Sequence, residues 1–177
     1  MNPPSPPRKQ SFAPVVNADT RILILGSLPG EISLAHGQYY ANRHNRFWAL
    51  VGAVIGENLE EMDYAPRLQT LLRHHIGLWD VVAEAQRAGS LDTAIHEERG
   101  NDFTSFLAAH PAIHTICFNG AKSYQCFRRY NQPLLARGGR VVTGKVAMDS
   151  LTELLQVWSS HQGNPLTKRV SFDDRRY

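Results

Sequence analysis

The amino-acid sequence predicts an α/β fold in which a parallel sheet is covered on both faces. Three observations lead there. Short apolar runs alternate with amphipathic helical stretches along most of the 177 residues. The first run, Ile22-Leu23-Ile24-Leu25, is apolar at every position, which suits a strand buried on both sides. It stops abruptly at Gly26-Ser27-Leu28-Pro29-Gly30, a turn with glycine at each end and a proline that fixes one φ angle. A strand that ends in such a turn sets its loop at the carboxyl edge of the sheet, where ligands of α/β folds bind.

The elements follow in order. Residues 1–11 hold four prolines with Arg8 and Lys9 and are expected to form a disordered arm. A lead-in over 11–20 then packs Phe12 under the sheet. Phe47, Trp48, Leu50, Val51, Val54 and Ile55 recur at helical spacing, so 47–55 is a helix. Residues 64–75 form a second, with Leu68, Leu71 and Leu72 inward and Arg67 and Arg73 outward. The run 76–82 is a buried strand that carries Asp80, and a carboxylate in an apolar run needs partners. Residues 100–111 are a helix capped by Asn101 or Asp102. Residues 113–118 are the third strand, ending in Asn119-Gly120, and 121–130 the helix after it. A fourth strand over 140–143 and a final helix over 148–158 complete a domain spanning 12–161. A polar tail occupies 162–177.

Composition bounds the function. At 42% hydrophobic, the chain is one domain with room for a sizeable core. A net charge of +3 and a pI near 9.0 are compatible with a polyanionic partner, although many proteins that bind none share them. Cys117 and Cys126 are too few for a four-cysteine cluster, and their spacing is not that of a zinc site. His74-His75 reads as a helix end at the negative dipole terminus rather than a metal pair. No apolar run approaches the roughly 18 residues of a membrane span, and no signal segment opens the chain. The expected location is the cytoplasm, at the nucleoid within it.

After the glycine turn the chain becomes aromatic and amide-rich: Tyr39, Tyr40, Asn42, Asn45, Phe47 and Trp48. Apolar planes beside carboxamides suit a flat, hydrogen-bonding ligand such as a nucleobase. Several of the candidate site residues also have a plainer reading. Phe47 and Trp48 fit core packing, Arg43-His44-Asn45-Arg46 fits a solvated loop with a helix cap, Asp80 fits a turn cap, and Asn119 fits the chemistry of an Asn-Gly turn. The turn has neither the lysine of a P-loop nor the spacing of a dinucleotide fingerprint.

The segment resembles the first motif of the uracil-DNA glycosylase superfamily, in which a strand ends in G-x-x-P-G and N-x-F-W follows. Here these are Gly26-Ser27-Leu28-Pro29-Gly30 and Asn45-Arg46-Phe47-Trp48. The similarity is greatest to the hypoxanthine-DNA (deoxyinosine) glycosylase branch, on Tyr39-Tyr40-Ala41-Asn42-Arg43-His44-Asn45, on L-W-D-V at 78–81, on Arg87-Ala88-Gly89-Ser90-Leu91-Asp92, and on Phe118-Asn119-Gly120-Ala121-Lys122-Ser123-Tyr124. Leu28 stands where the mismatch-directed uracil branch carries its catalytic asparagine.

The resemblance implies a three-layer α/β/α sandwich around a four-stranded parallel sheet, and a monofunctional enzyme that hydrolyses the N-glycosidic bond of hypoxanthine in DNA. It implies no cofactor and no metal, and the chain is expected to act as a monomer on DNA containing a deaminated base. Asn45 is the expected catalytic amide, with Asn42 as the alternative. Gly26, Ser27, Leu28, Pro29, Gly30, Tyr39, Tyr40, Phe47, Asp80 and Asn119 are the expected base pocket. Arg43, Arg46, Lys122 and Lys145 are the expected phosphate contacts; contact by the basic end of the first arm is only the alternative to its disorder. The chain departs from the branch at 143–147, Thr-Gly-Lys-Val-Ala, where relatives carry an L-P-S-T-S-P-A-like loop that packs into the minor groove. That loop is expected to contribute weakly here. A uracil-directed enzyme of the same superfamily, or a DNA-binding relative of weakened activity, is the alternative.

Overall fold

The computed structural model describes residues 6–135 and 140–142. Two sheets organise them. Strands β2 (Ile22–Gly26), β3 (Ile76–Asp80), β6 (Thr115–Phe118) and β7 (Arg140–Val142) form a four-stranded sheet in the order β3-β2-β6-β7. Every pairing in it is parallel. Central strand β2 is buried along its whole length, as its uninterrupted apolar run requires.

Successive side chains of these strands enter opposite cores. Ile22, Ile24, Ile76, Leu78 and Cys117 pack with Phe47, Trp48, Val51, Val54 and Ile55 of α2 (Phe47–Ile55) and Leu71 of α3 (Tyr64–Arg73). Leu23, Leu25, Ile116 and Phe118 pack on the other face with Phe103 and Phe106 of α4 (Phe103–Ala109) and Cys126 and Phe127 of α5 (Ala121–Leu135). This period-two division makes the predicted α/β/α sandwich.

Capping sets the helix boundaries. Asp102 caps α4, its carboxylate accepting from Ser105 N–H at 3.1 Å. In α5 the backbone leaves helical geometry at Asn131, two residues before Pro133, close to where the sequence reading ended that helix. Arg67 of α3 is not turned outward as expected. Its guanidinium lies 4.8 Å from the Trp48 ring centre and donates to the Met62 carbonyl at 2.8 Å.

A second sheet was not anticipated. Strands β1 (Arg8–Gln10), β4 (Val82–Arg87) and β5 (Ile95–Gly100) form an antiparallel sheet in the order β1-β4-β5. The expectation of a disordered arm over 1–11 is therefore corrected at Arg8–Gln10. Arg8–Gln10 satisfies its backbone along the edge of β4, and the Lys9 ammonium is buried against Glu31 and the Gly89 carbonyl. The expected strand over 76–82 is divided between the two sheets at Val81. Helix α1 (Glu31–His36), six residues long, was also not foreseen.

The lead-in caps the outer edge of β3 through Val15, whose N–H and carbonyl bond Leu78 at 2.8 and 3.0 Å. The 143–147 loop with Lys145, the 148–158 helix, and the 162–177 tail lie outside the described residues.

Candidate active site

Three strand ends meet. The N–H groups of Val81 and Val82 bond the carbonyls of Gly26 and Ser27 at 2.9 and 3.0 Å, and Asn119 N–H bonds the Leu25 carbonyl at 2.8 Å. The turn after β2, Asp80 at the end of β3 and Asn119 after β6 thus converge on the carboxyl edge of the sheet. They border a cavity of about 340 Å³, a size suited to a small ligand. Its lining brings together most of the expected site: Gly26, Ser27, Leu28, Pro29, Gly30, Tyr39, Tyr40, Asn42, Asn45, Asp80 and Asn119. It also includes Ile32, Ser33, Ser90 and Asp92, which the sequence reading had not assigned.

Phe47 is the exception among the expected pocket residues. It is buried, and it stacks on Tyr40 with ring centres 3.7 Å apart and planes 14° from parallel. It stands behind the wall because the helical face that carries it belongs to the core under the sheet. Tyr40, half-buried, is the member of that stack that lines the cavity. Its backbone lies in the left-handed region, φ 54°, and the Asn119 side chain lies near its hydroxyl. Tyr39 is buried, with its hydroxyl donating to the Ala13 carbonyl at 3.1 Å. Burial raises the titration of both phenols, so each enters chemistry as a neutral hydroxyl.

Asp80 is buried, and Ser11 Oγ donates to its Oδ2 at 2.9 Å. Burial pushes its pKa up to about 7; the Ser11 bond and Arg87 oppose the shift, and Asp92 adds to it. The plainer reading of Asp80 as a turn cap is thereby replaced by a carboxyl that faces the cavity. A Cβ on Gly26 would meet Asp80 Oδ1 at 2.5 Å, so any larger residue would have to displace the buried carboxyl.

The turn itself is held from behind. Arg87, the last residue of β4, is fully buried and donates to the Leu28 carbonyl at 3.2 Å and to the Pro29 carbonyl. Burial lowers its pKa, while Asp92, Glu31 and Asp80 favour its charge. Ser27 Oγ donates to Asp92 Oδ1 at 2.5 Å, and Glu31 N–H donates to Ser90 Oγ at 2.8 Å. Arg87, Ser90 and Asp92 all fall in the stretch whose resemblance was noted. Their partners are far away in sequence, and that is why spacing alone did not reveal their roles.

The opposite wall is the 42–46 loop. Arg43, Asn45 and Arg46 are exposed, and Asn42 is half-buried. Asn42 Oδ1 accepts from His44 N–H at 3.0 Å, and Asn45 Oδ1 accepts from Phe47 N–H at 2.9 Å. The N-cap position of α2 is Arg46, without a side-chain cap bond; Asn45 satisfies the first N–H of the helix from one residue further out, and it also lines the cavity. With its oxygen engaged, the carboxamide has its two N–H donors to offer. Lys122 is half-buried, and its ammonium lies 3.9 Å from the Glu98 carboxylate. The paired histidines do not converge: His74 Nε2 is 3.1 Å from Glu57 and His75 Nδ1 is 2.9 Å from the Asp19 carbonyl. Among the described residues there is no cluster of three or more His, Cys, Asp or Glu able to hold a metal, and no helix long and apolar enough to cross a membrane.

Fold and site together define an α/β protein with a cavity at the carboxyl edge of its parallel strands. The chain belongs to the uracil DNA glycosylase superfamily, which it matches over residues 13–172. It is 46% identical over 116 residues to the hypoxanthine DNA glycosylase of Methanosarcina barkeri, spanning 66% of this chain and 73% of that one. It is 48% identical over 115 residues to the hypoxanthine DNA glycosylase of Methanosarcina acetivorans, spanning 65% and 73%. A solution NMR structure of a candidate uracil DNA glycosylase from Methanosarcina acetivorans superposes with a TM-score of 0.73 at 36% identity, over 88% of this chain and 99% of that chain.

Proposed function

We propose that the protein is a monofunctional DNA glycosylase that releases hypoxanthine from deoxyinosine in DNA. The observation that carries this reading is the single cavity that gathers the glycine turn, Tyr40, Asn42, Asn45, Asp80 and Asn119. The two relatives named as hypoxanthine DNA glycosylases support it.

The reaction adds water across the C1′–N9 bond. As that bond breaks, its electron pair leaves with the base and positive charge grows on the sugar. Water oxygen bonds C1′, and the water proton passes to the departing base or to solvent. The target nucleotide first has to leave the duplex stack. In this reading Tyr40, backed by Phe47, provides the plane on which the base rests. Asp80, with its pKa near neutrality, meets the hydrogen-bonding edge of the purine, accepting from N1–H and, when protonated, donating to O6. Asn45 is the catalytic amide, its N–H donors placed to stabilise charge on the leaving base; Asn42 is the alternative. A carboxamide does not ionise usefully, so neither is a general base. Arg43 and Arg46 contact phosphates, with Lys122 in a lesser role because Glu98 already engages it. Lys145 is a further candidate. The protein acts as a monomer at the nucleoid, through a domain that includes strand β1 and runs to residue 161.

Duplexes carrying hypoxanthine, uracil, xanthine or a plain mismatch, scored for free base, test the proposal. Hypoxanthine is expected to be released fastest. Faster release of uracil would move the protein to the uracil-directed reading. Binding to all four without release of any base would make it a DNA-binding relative.

A further inference from the structure

Ser11 belongs to no part of the expected site, yet its side chain ends on Asp80. Its Oγ donates to Asp80 Oδ2 at 2.9 Å, across 69 residues of sequence. The segment that carries it is anchored. Ser11 N–H bonds the Ala83 carbonyl at 2.8 Å, Trp79 Nε1 donates to the Phe12 carbonyl at 3.2 Å, and the Tyr39 hydroxyl donates to the Ala13 carbonyl at 3.1 Å. The Phe12 ring also meets the Tyr39 ring edge-on, with centres 5.2 Å apart. The Ser11 hydroxyl has a second acceptor in reach, the Phe12 carbonyl at 3.3 Å, but this is farther off and already receives the Trp79 N–H.

This contact makes the two oxygens of Asp80 unlike. Oδ2 is taken by Ser11. Oδ1 stands beside Gly26 and Tyr40, which line the cavity: a Cβ on Gly26 would lie 2.5 Å from Oδ1 and 3.3 Å from the Tyr40 hydroxyl. Asp80 is 3% exposed, so bulk water does little for either oxygen. Of the charged groups that face the carboxyl, Arg87 of β4 favours its ionised form and Asp92 opposes it, while the phenols of Tyr39 and Tyr40 are neutral. The Ser11 bond acts with Arg87. Because the hydroxyl donates to Oδ2, the proton of a neutral Asp80 belongs on Oδ1, the oxygen on the cavity side.

The state of Oδ1 bears on which purine the cavity admits. Hypoxanthine carries a donor at N1, whereas adenine, from which it arises by deamination, carries a bare acceptor there. An ionised Oδ1 accepts from the first and repels the lone pair of the second. A protonated Oδ1 can donate to adenine N1 and loses that distinction. A site built around one hydrogen bond rejects the analogue that cannot make it. We propose that Ser11 is a positioning residue that sets base selection: it turns the Asp80 carboxyl so that Oδ1 meets the base as an acceptor, which admits hypoxanthine and turns adenine away. The inference rests on the glycosylase reading and deepens it.

The test follows the Asp80 carboxyl carbon by NMR against pH in the full chain, for the parent, Ser11→Ala and Ser11→Thr. Single-turnover release from duplexes carrying hypoxanthine or adenine is measured over the same pH range. Ser11→Ala removes a donor to the ionised form and should move the Asp80 titration up by about one pH unit, the scale of one hydrogen bond to a charged group. The ratio of hypoxanthine to adenine release should fall as pH drops through that titration. In Ser11→Ala the fall should be displaced upward by the same interval, so that between the two midpoints the ratio is up to about tenfold lower than the parent's. Ser11→Thr keeps the hydroxyl and should return both curves towards the parent. A side chain that only supported the fold would alter stability and leave both midpoints in place. An unmoved carboxyl titration overturns the proposal. So does a moved titration without the matching displacement of the ratio, an Ala variant that releases no adenine at any pH, or a Thr variant that behaves as Ala does. If the parent releases neither base, the glycosylase reading fails and base selection falls with it, while the carboxyl titration still decides whether Ser11 governs Asp80.

Discussion

The two walls of the cleft are made by opposite means. The 26–30 turn is held by partners far away in sequence: Arg87, 59 and 58 positions from the carbonyls it grips, and Asp92, 65 positions from Ser27. The 42–46 loop is held by its neighbours, through Asn42 to His44 N–H and Asn45 to Phe47 N–H, each two residues on. One wall is a product of tertiary folding, and the other is a local turn placed at the start of a helix. Changes in the first should therefore disturb stability and chemistry together. Changes in the second should separate them.

The largest effect is expected at Arg87. Arg87→Met keeps much of the volume but leaves the Leu28 and Pro29 carbonyls buried without their donor. A loss of roughly 3–5 kcal/mol should follow in urea unfolding, with base release falling in the variant that remains folded. Parental stability in this variant would mean that the turn is supported elsewhere and that the contrast between the walls is overstated.

Asp80 couples the distant-partner wall to pH. The folded protein holds its proton more tightly than the unfolded chain does, since the pKa moves from 3.8 to about 7. Stability is therefore expected to fall as pH rises across that interval, by up to roughly 4 kcal/mol, and to level off above it. Asp80→Asn should flatten this part of the profile, and the pH dependence of base release should lose its inflection near neutrality. An unchanged stability profile would show that Asp80 titrates like an ordinary surface carboxyl.

Asn45 sharpens the comparison from the other side. Asn45→Ala removes the acceptor for Phe47 N–H and should cost about 1 kcal/mol of stability, together with about a hundredfold in single-turnover release. Asn45→Asp keeps the acceptor and should restore the stability. It should not restore the rate, because it lacks the N–H donors and brings charge of the same sign as the leaving base. Recovery of both by Asp would reduce Asn45 to a helix cap and pass the catalytic role to Asn42.

What the sequence made legible follows the same division. The all-apolar run of β2, the glycine turn, the spacing of α2 and the Asp102 cap are local statements, and the molecule bears them out. Residues that matter through remote partners were not legible. Arg8–Gln10 is polar and follows a proline-rich stretch, and it becomes a strand only because β4 offers an edge. The β4–β5 hairpin mixes charges into its outer face, where Glu84 takes hydrogen bonds from both Arg8 and Arg99, so its alternation is blurred. Helix α1 is too short to show a period. Phe47 was placed in the pocket on its aromatic character, whereas its position on the apolar face of α2 puts it behind Tyr40.

Val81 alone separates the end of β3 from the start of β4, and it is tied on both sides: its N–H to Gly26 and its carbonyl to Asn101 N–H at 2.9 Å. A joint of one pinned residue leaves the hairpin no hinge on which to swing against the parallel sheet. The hairpin side of the cavity is thus preorganised, with its shape set during folding rather than at encounter. The conformational work of recognition then falls on the DNA, and a lesion whose pairing is already weak needs the least of it. Selectivity can therefore arise from how readily a damaged nucleotide deforms its own helix, before any group in the pocket has touched it.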